Sequence, residues 1–173
     1  MSIEIRPYRE HDRELLAALT VAAFDGVSID QNMDCLFGRI AARDWRWRKA
    51  QHVLDDIAAL ANSAEVAVAA LSATDRPVGY VTLHFDREAR IGWIHHLAVD
   101  AELRGQGLGR RLLEHALDRF RAEGMIVAKI ETLEQNRIGR HLFPLLGFRE
   151  VARKIYYAMP LGGGSDGPEG APR

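Results

Sequence analysis

The sequence predicts an α/β (α+β) fold with a mixed central sheet of six to seven strands, antiparallel in its first half, and about four helices. Three observations predict it. First, a strand-like run at residues 91–99 ends at Asp100 and turns through Arg104-Gly105-Gln106-Gly107-Leu108-Gly109. It then enters a helical pattern with Leu108, Leu112, Leu113, Ala116, Leu117 and Phe120 on one stripe. Second, strand-like runs at 65–73, 78–85 and 91–99 are joined by the turns 74–77 and 86–90, too short to cross over to a parallel neighbour. Third, a strand-like run at 126–132 follows the helix, so it pairs parallel to 91–99 through a helical crossover.

Each element has its own signal. At 3–7, Ile3 and Ile5 alternate with Glu4 and Arg6, and Pro7 ends the strand or marks a sheet edge. Residues 11–24 carry Leu15, Leu16, Leu19 and Ala23 at helical spacing, and 25–32 is a polar, glycine-containing loop. A second helix is expected from about 33 to 61. On it Leu36, Ile40, Trp47, Ala50, Leu54, Ile57, Ala58 and Ala61 share a face, which sends Trp47 to the core. Trp45, Arg48 and His52 fall opposite, with Asp56 one turn further on. The basic residues Arg43, Arg46, Arg48 and Lys49 are interrupted by Asp44, Asp55 and Asp56, the pattern of a solvated helix face. Val66 and Val68 mark the strand at 65–73. At 78–85, Val81, Leu83 and Phe85 alternate with Tyr80, Thr82 and His84. The helix after the glycine turn runs to about Glu123, with Gly124 as its cap. Another helix starts near Asn136 and stops at Gly147, and 148–159 supplies the last one or two strands. Residues 161–173 are rich in Gly, Ser and Pro and read as a disordered tail on a domain spanning 1–160.

Composition narrows the class. A chain of 173 residues is one domain by size, and 47% hydrophobic with 27% charged residues is ordinary for a globular chain. A net charge of −1 gives no general attraction to nucleic acid, so any polyanion site is local. The single Cys35 excludes an internal disulfide and offers no metal cluster. The opening stretch is charged, without the apolar core of a secretion signal, and no apolar run approaches the ~18 residues of a membrane span. The expectation is a cytoplasmic protein without membrane, nucleic-acid or metal partners.

The strand–turn–helix joint suits an anion. Glycines admit positive φ and let another molecule approach the backbone without a Cβ clash. Successive N–H groups form a concave nest, the helix dipole adds partial positive charge, and Arg104, Arg110 and Arg111 add full charges. A pyrophosphate is the ligand this chemistry favours. The turn is not a Walker loop, since no lysine follows its glycines. The Gly105-x-Gly107-x-Gly109 spacing, in mid-chain, also departs from the Rossmann fingerprint.

Arg104-x-x-Gly107-x-Gly109, directly after Leu97-Ala98-Val99-Asp100, resembles the acetyl-CoA loop of the GNAT N-acetyltransferases. The stretch from Asn136 to Phe148, NRIGRHLFPLLGF, resembles a second motif of that family, and together the likeness covers roughly residues 3–160. The resemblance implies a GNAT fold whose parallel strands splay apart at their C-terminal ends around the pantetheine arm of acetyl-CoA. On that reading the backbone of Leu97, Ala98 and Val99 pairs with the pantetheine amides, and the Leu97 N–H polarises the thioester carbonyl. Residues Arg104, Gly105, Gln106, Gly107, Leu108, Gly109 and Arg110 hold the pyrophosphate. Asn136 hydrogen-bonds the pantetheine, and Gly139, where the family usually has Ala, leaves room for it.

Acyl transfer needs a neutral amine, so a proton acceptor raises the rate. Some members of the family carry a His at the position of His95. Others use a Glu on the same face, where this chain has Trp93. His95 is the candidate general base, with His96 as the alternative. An imidazole titrates near ~6.5, which suits the role, and strand alternation sends the two histidines to opposite faces. The family's acid is often a Tyr at the position of Phe143, a cofactor-lining residue that has no hydroxyl here. Tyr156, Tyr157 or water are the substitutes. A thiol with a cysteine-like pKa of ~8.5 also leaves tolerably unprotonated. Pro144 removes a helical N–H, so that helix is expected to be short or kinked.

Two functions stay open at this point. One is an N-acetyltransferase that moves acetyl from acetyl-CoA to a primary amine, small or peptidic, by direct attack. The other is a catalytically silent acyl-CoA-binding domain, kept open by the lost tyrosine. Family habit implies a homodimer, and no motif names the acceptor.

Overall fold

The computed structural model describes residues 2–59 and 64–161. In chain order the elements are β1 (Ile3–Pro7), α1 (Arg13–Ala23), α2 (Ile29–Phe37), α3 (Trp45–Ala58), β2 (Ala64–Leu71), β3 (Pro77–Asp86), β4 (Ile91–Val99), α4 (Leu108–Ala122), β5 (Val127–Ile130) and α5 (Arg137–Leu145). One sheet runs in the order β1-β2-β3-β4-β5. Its first four strands are antiparallel, and β5 lies parallel to β4 across the α4 crossover.

Strand alternation builds a core on each face. Ala67 and Ala69 of β2, with Val81, Leu83 and Phe85 of β3 and Ile94 of β4, meet Leu108, Leu112, Leu113, Ala116 and Phe120 of α4. On the other face Val66, Val68, Tyr80 and Ala98 meet Leu16 of α1 and Val53 and Ile57 of α3. The glycine at 92 is dictated by packing. A Cβ there would sit 2.4 Å from the Phe120 ring, so α4 rests directly on the β4 backbone.

The feature that positions the site is a fork. The β4–β5 ladder starts at Ile91 opposite Val127 and ends at Ile94 opposite Ile130. Strand β4 continues to Val99, still paired to β3, while the chain after Ile130 leaves it. The edge of β4 beyond Ile94 therefore faces a gap.

Three expectations are corrected. The helix expected at 33–61 is two helices. Gly38, at φ +72°, ends α2, and a tight turn pairs Ile40 with Arg43 through Ala41 and Ala42, both at positive φ. Asp44 then caps α3 by accepting from the Trp47 N–H. The break resets the helical phase, so Trp45 is the buried tryptophan, 5% exposed, and Trp47 is 44% exposed. The inward face is Trp45, Lys49, Val53, Asp56 and Ile57, and Leu36 and Ile40 are exposed. Next, residues 148–159 form no strand, so the sheet has five strands among the described residues rather than six or seven. Val151, Ile155, Tyr157 and Met159 lie exposed, and Arg153 and Lys154 make ion pairs instead of a ladder. The α-helices number five among the described residues, in line with the about four expected. The tail expected at 161–173 lies, apart from Leu161, outside the described residues.

Candidate active site

The glycine turn has the expected form. Asp100 is tied back to β3 through its N–H on the Val78 carbonyl, 2.9 Å, and its side chain caps the short turn Ala101–Leu103. Gly105 and Gly107 sit at φ +75° and +79°, and a Cβ on either would meet nothing within 4 Å. Gly107 is the N-cap of α4 and supplies no side-chain cap, so the first-turn N–H groups of α4 point outward unsatisfied by the helix. Gln106 donates one side-chain N–H back to the Glu102 carbonyl, and Leu108 is buried in the core and offers only its backbone N–H to a ligand. Arg110 pairs with Glu114. Arg111 donates to the Ile3 carbonyl at 2.9 Å and so is spent on β1 rather than on the turn.

Behind the turn lies a cleft of about 150 Å³ in the fork of the sheet. Its walls are His95, Leu97 and Val99 of β4, Ile130 and the following Glu131 and Thr132, and Asn136, Gly139, Leu142 and Phe143 along α5. Arg104 and Gly109 stand at one end, and Ala23 of α1 with the following Phe24 at the other. Most of the residues singled out from sequence thus meet in one place. His96 and Ala98 are the exceptions on β4: the Ala98 side chain enters the core between β4, α1 and α3, and only its backbone remains on the strand. Asn136 caps α5, its Oδ1 accepting from the Gly139 N–H and its Nδ2 donating to Thr132 Oγ1, so only part of its hydrogen-bonding capacity is left for a ligand. A Cβ on Gly139 would lie 3.0 Å from Asn136 Nδ2 and 3.1 Å from Phe143, so an alanine here would require those side chains to give by a few tenths of an ångström. Neither Tyr156 nor Tyr157 is among the residues lining the cleft.

The expectation for the two histidines is overturned. Thr82 pairs with His96 and Leu83 with Ile94, which leaves His95 unopposed in a β-bulge. The extra residue resets the alternation, so Ile94 and Leu97 pack with the α4 core while both His95 and His96 reach Asp56 on the α3 side. Asp56 is 6% exposed and its carboxylate is saturated. Oδ1 accepts from His84 Nε2 at 2.9 Å and His95 Nδ1 at 3.0 Å. Oδ2 accepts from His96 Nδ1 at 2.7 Å and Thr82 Oγ1 at 2.8 Å. Burial opposes the charge on Asp56, but the donors from His84, His95 and His96 outweigh it and hold the carboxyl far below the usual carboxylate range.

The histidines then separate by their second nitrogens. His96 Nε2 faces Lys49 Nζ at 3.4 Å, and its ring meets Phe24 edge-on. Burial, and then the Lys49 charge, depress the His96 imidazole, against the pull of its hydrogen bond to Asp56. Lys49 itself is depressed by burial and steadied by Asp30 and Asp56. His95 is different: its Nε2 has no hydrogen-bond partner among the described residues, and its ring lines the cleft. Asp56, His84 and His95 also offer ligand-type atoms within 4.8 Å of one another. The His84 and His95 rings, however, stack at 3.6 Å and 16° apart. That arrangement delivers two N–H groups to one carboxylate oxygen more readily than two in-plane lone pairs to one ion.

Sequence reasoning missed Asp56, His84, Thr82 and Lys49. Thr82 and His84 alternate onto the inward face of a central strand, two polar side chains that require a buried partner. That was the available signal.

Among the described residues, no helix is long and apolar enough to cross a membrane. The model of the Acetyltransferase (GNAT) family matches residues 34–148. The [ribosomal protein bS18]-alanine N-acetyltransferase of Salmonella typhimurium is 34% identical over 70 residues, 40% of this chain and 47% of that one. The mycothiol acetyltransferase of Beutenbergia cavernae is 37% identical over 73 residues, 42% of this chain and 25% of that one. The matches thus span about half or less of these relatives' lengths. Among solved structures, the PaiA N-acetyltransferase of Thermoplasma acidophilum, in complex with coenzyme A, superposes with a TM-score of 0.68 at 18% identity, covering 86% of this chain and 91% of that one.

Proposed function

Because the chain belongs to the GNAT acetyltransferase family, we propose that it transfers an acetyl group from acetyl-CoA to an amine held in the cleft of the forked sheet. The observation that carries the reading is a coincidence of three features around one cavity: an amide-lined glycine turn at one end, a free β4 edge along one wall, and the His95 ring lining the same space, its buried Nε2 without a hydrogen-bond partner among the described residues.

Acetyl-CoA supplies the activated acyl group as its thioester. The backbone N–H groups of residues 105–110, with Arg104, hold the diphosphate at the dipole-positive end of α4. The free edge of β4 at Leu97–Val99 lies along the pantetheine amides, and the Leu97 N–H stabilises the oxyanion that forms at the carbonyl. His95 Nε2 takes the proton as the amine attacks. The new N–C bond forms, the C–S bond breaks, and the electron pair leaves on sulfur. Phe143 offers no proton to that sulfur, so it leaves as thiolate or takes its proton from water.

Peptide α-amines are the acceptor class this chemistry serves best. Their ordinary pKa of ~7.7–8.0 leaves a sizeable neutral fraction near pH 7.5, whereas lysine at ~10.4 is almost wholly charged. The similarity to an alanine N-acetyltransferase points the same way.

The absence of a tyrosine among the cleft-lining residues supports a second reading, a silent acyl-CoA-binding domain. Thiol release from acetyl-CoA decides between them, measured with N-terminal alanine peptides, lysine peptides, amino acids and an aminosugar. Release with at least one amine, reduced by roughly 10²–10⁴-fold in His95→Ala at unchanged coenzyme A affinity, supports the transferase. Coenzyme A binding with no release on any amine supports the silent domain.

A further inference from the structure

We propose that Asp56 is the positioning residue of this site, fixing His95 in the tautomer that carries its proton on Nδ1 and keeps the Nε2 lone pair for the acceptor amine. The inference rests on the reading of His95 as the base.

An ionised carboxylate only accepts hydrogen bonds. With four donors around its two oxygens, Asp56 obliges each partner to present a hydrogen. Thr82 complies because its own oxygen accepts the His96 backbone N–H at 2.9 Å, which leaves its hydroxyl hydrogen for Asp56. His95 complies only with Nδ1 protonated, and the neutral ring then has its lone pair on Nε2. The opposite tautomer would set a lone pair against a buried carboxylate at 3.0 Å.

The ring plane is fixed as well. His84 stacks on one side at 3.6 Å, and Trp93 meets the ring edge-on at 4.3 Å. The bulge that brings His95 to Asp56 also brings His96. The second nitrogen of His96 is occupied by Lys49 and that of His95 by nothing among the described residues, so one carboxylate sorts two adjacent histidines into a structural one and a reactive one. The charged and titratable groups facing this cluster are Lys49, His52 and Asp55 of α3, Asp30 of α2, His84 of β3 and Lys129 of β5. Asp55 and Asp30 act at longer range, and Lys129 stands over Trp93.

The test reads the tautomer directly. Long-range ¹H–¹⁵N spectra of the full chain without ligand should show His95 protonated at Nδ1 and bare at Nε2. Asp56→Asn should release that preference and lower kcat by about 100-fold or more, with KM for acetyl-CoA within about twofold. Formate added to Asp56→Ala should restore part of kcat, since it replaces the missing carboxylate. A wild-type His95 protonated at Nε2 overturns the inference, whether or not an acceptor has been found. So does an Asp56→Asn variant with wild-type kcat and pH profile. Wild-type protein that binds coenzyme A, shows the expected tautomer and transfers acetyl to no amine overturns the transferase reading instead.

Discussion

Gly105→Ala and Gly107→Ala test the glycine turn without creating a steric clash. Both glycines sit deep in the left-handed region, and a Cβ on either would enter open space. The only penalty is therefore conformational, roughly 1–2 kcal/mol for each L-residue forced into left-handed helical dihedrals. Where that penalty appears depends on the freedom of the loop. If the free loop relaxes to negative φ, coenzyme A must force it back, and affinity falls about 5–30-fold at 1.4 kcal/mol per tenfold. If the loop cannot relax, the same energy appears as lost stability, with Tm falling roughly 2–4 °C per kcal/mol for a chain of this size. Calorimetric titration with coenzyme A and a thermal melt measure both parts. Gly124→Ala is the control. It carries the same strain at φ +74°, at the far end of α4, with only the tip of Arg90 at 3.8 Å. It should lower Tm and leave coenzyme A affinity unchanged. Equal affinity losses in all three variants, or wild-type affinity with no fall in Tm in the two turn variants, would refute the reasoning.

Three further outcomes follow from the packing and the electrostatics. Trp45→Ala should cost about 3–5 kcal/mol as a buried aromatic, and Trp47→Ala well under 1 kcal/mol as a half-exposed one; equal losses in urea melts would put the α3 face back where periodicity had it. Gly92→Ala should destabilise by about 1–3 kcal/mol by driving a methyl into Phe120, and the loss should shrink in a Phe120→Leu background; an additive double variant would deny the contact. His96 should take up its proton at lower pH than an ordinary imidazole, because burial and then the Lys49 charge disfavour its charged form. The sign is fixed by linkage: its depressed folded-state value means the unfolded chain binds the proton first, so this residue leaves stability intact above ~6.5 and erodes it as pH falls below. A Lys49→Met variant, with one of the depressing charges removed, should let His96 protonate at higher pH, and a His96 titration unchanged by that substitution would contradict the contact.

Much of this was legible because it depends on local chemistry. The turn after Val99 announces itself through glycines whose positive φ no other residue adopts cheaply, and the short links at 74–77 and 86–90 force an antiparallel meander. The two tryptophans were misplaced because periodicity was counted through Gly38 and the turn at Ala41–Ala42, where the helical phase is lost. The bulge at His95 was invisible for a different reason. One inserted residue obeys the pairing of β3 with β4, not any pattern within β4, and strict alternation gave the two histidines opposite faces. Asp56 was placed on a solvent face because the periodicity set it opposite Trp47 and the mixed charges around it have the pattern of a solvated face, whereas burying a carboxylate alone is costly. Three imidazoles and a hydroxyl, from residues 26 to 40 positions away, remove that cost. Residues 148–159 have the composition of a strand but no ladder partner in the sheet.

Backbone amide mapping with coenzyme A probes the central claim most directly. On titration, the N–H resonances of residues 105–110 and of Leu97, Ala98 and Val99 should move together and saturate with a single affinity, while those of β1 and β2 stay in place. Saturable binding that leaves both stretches unmoved would contradict the account.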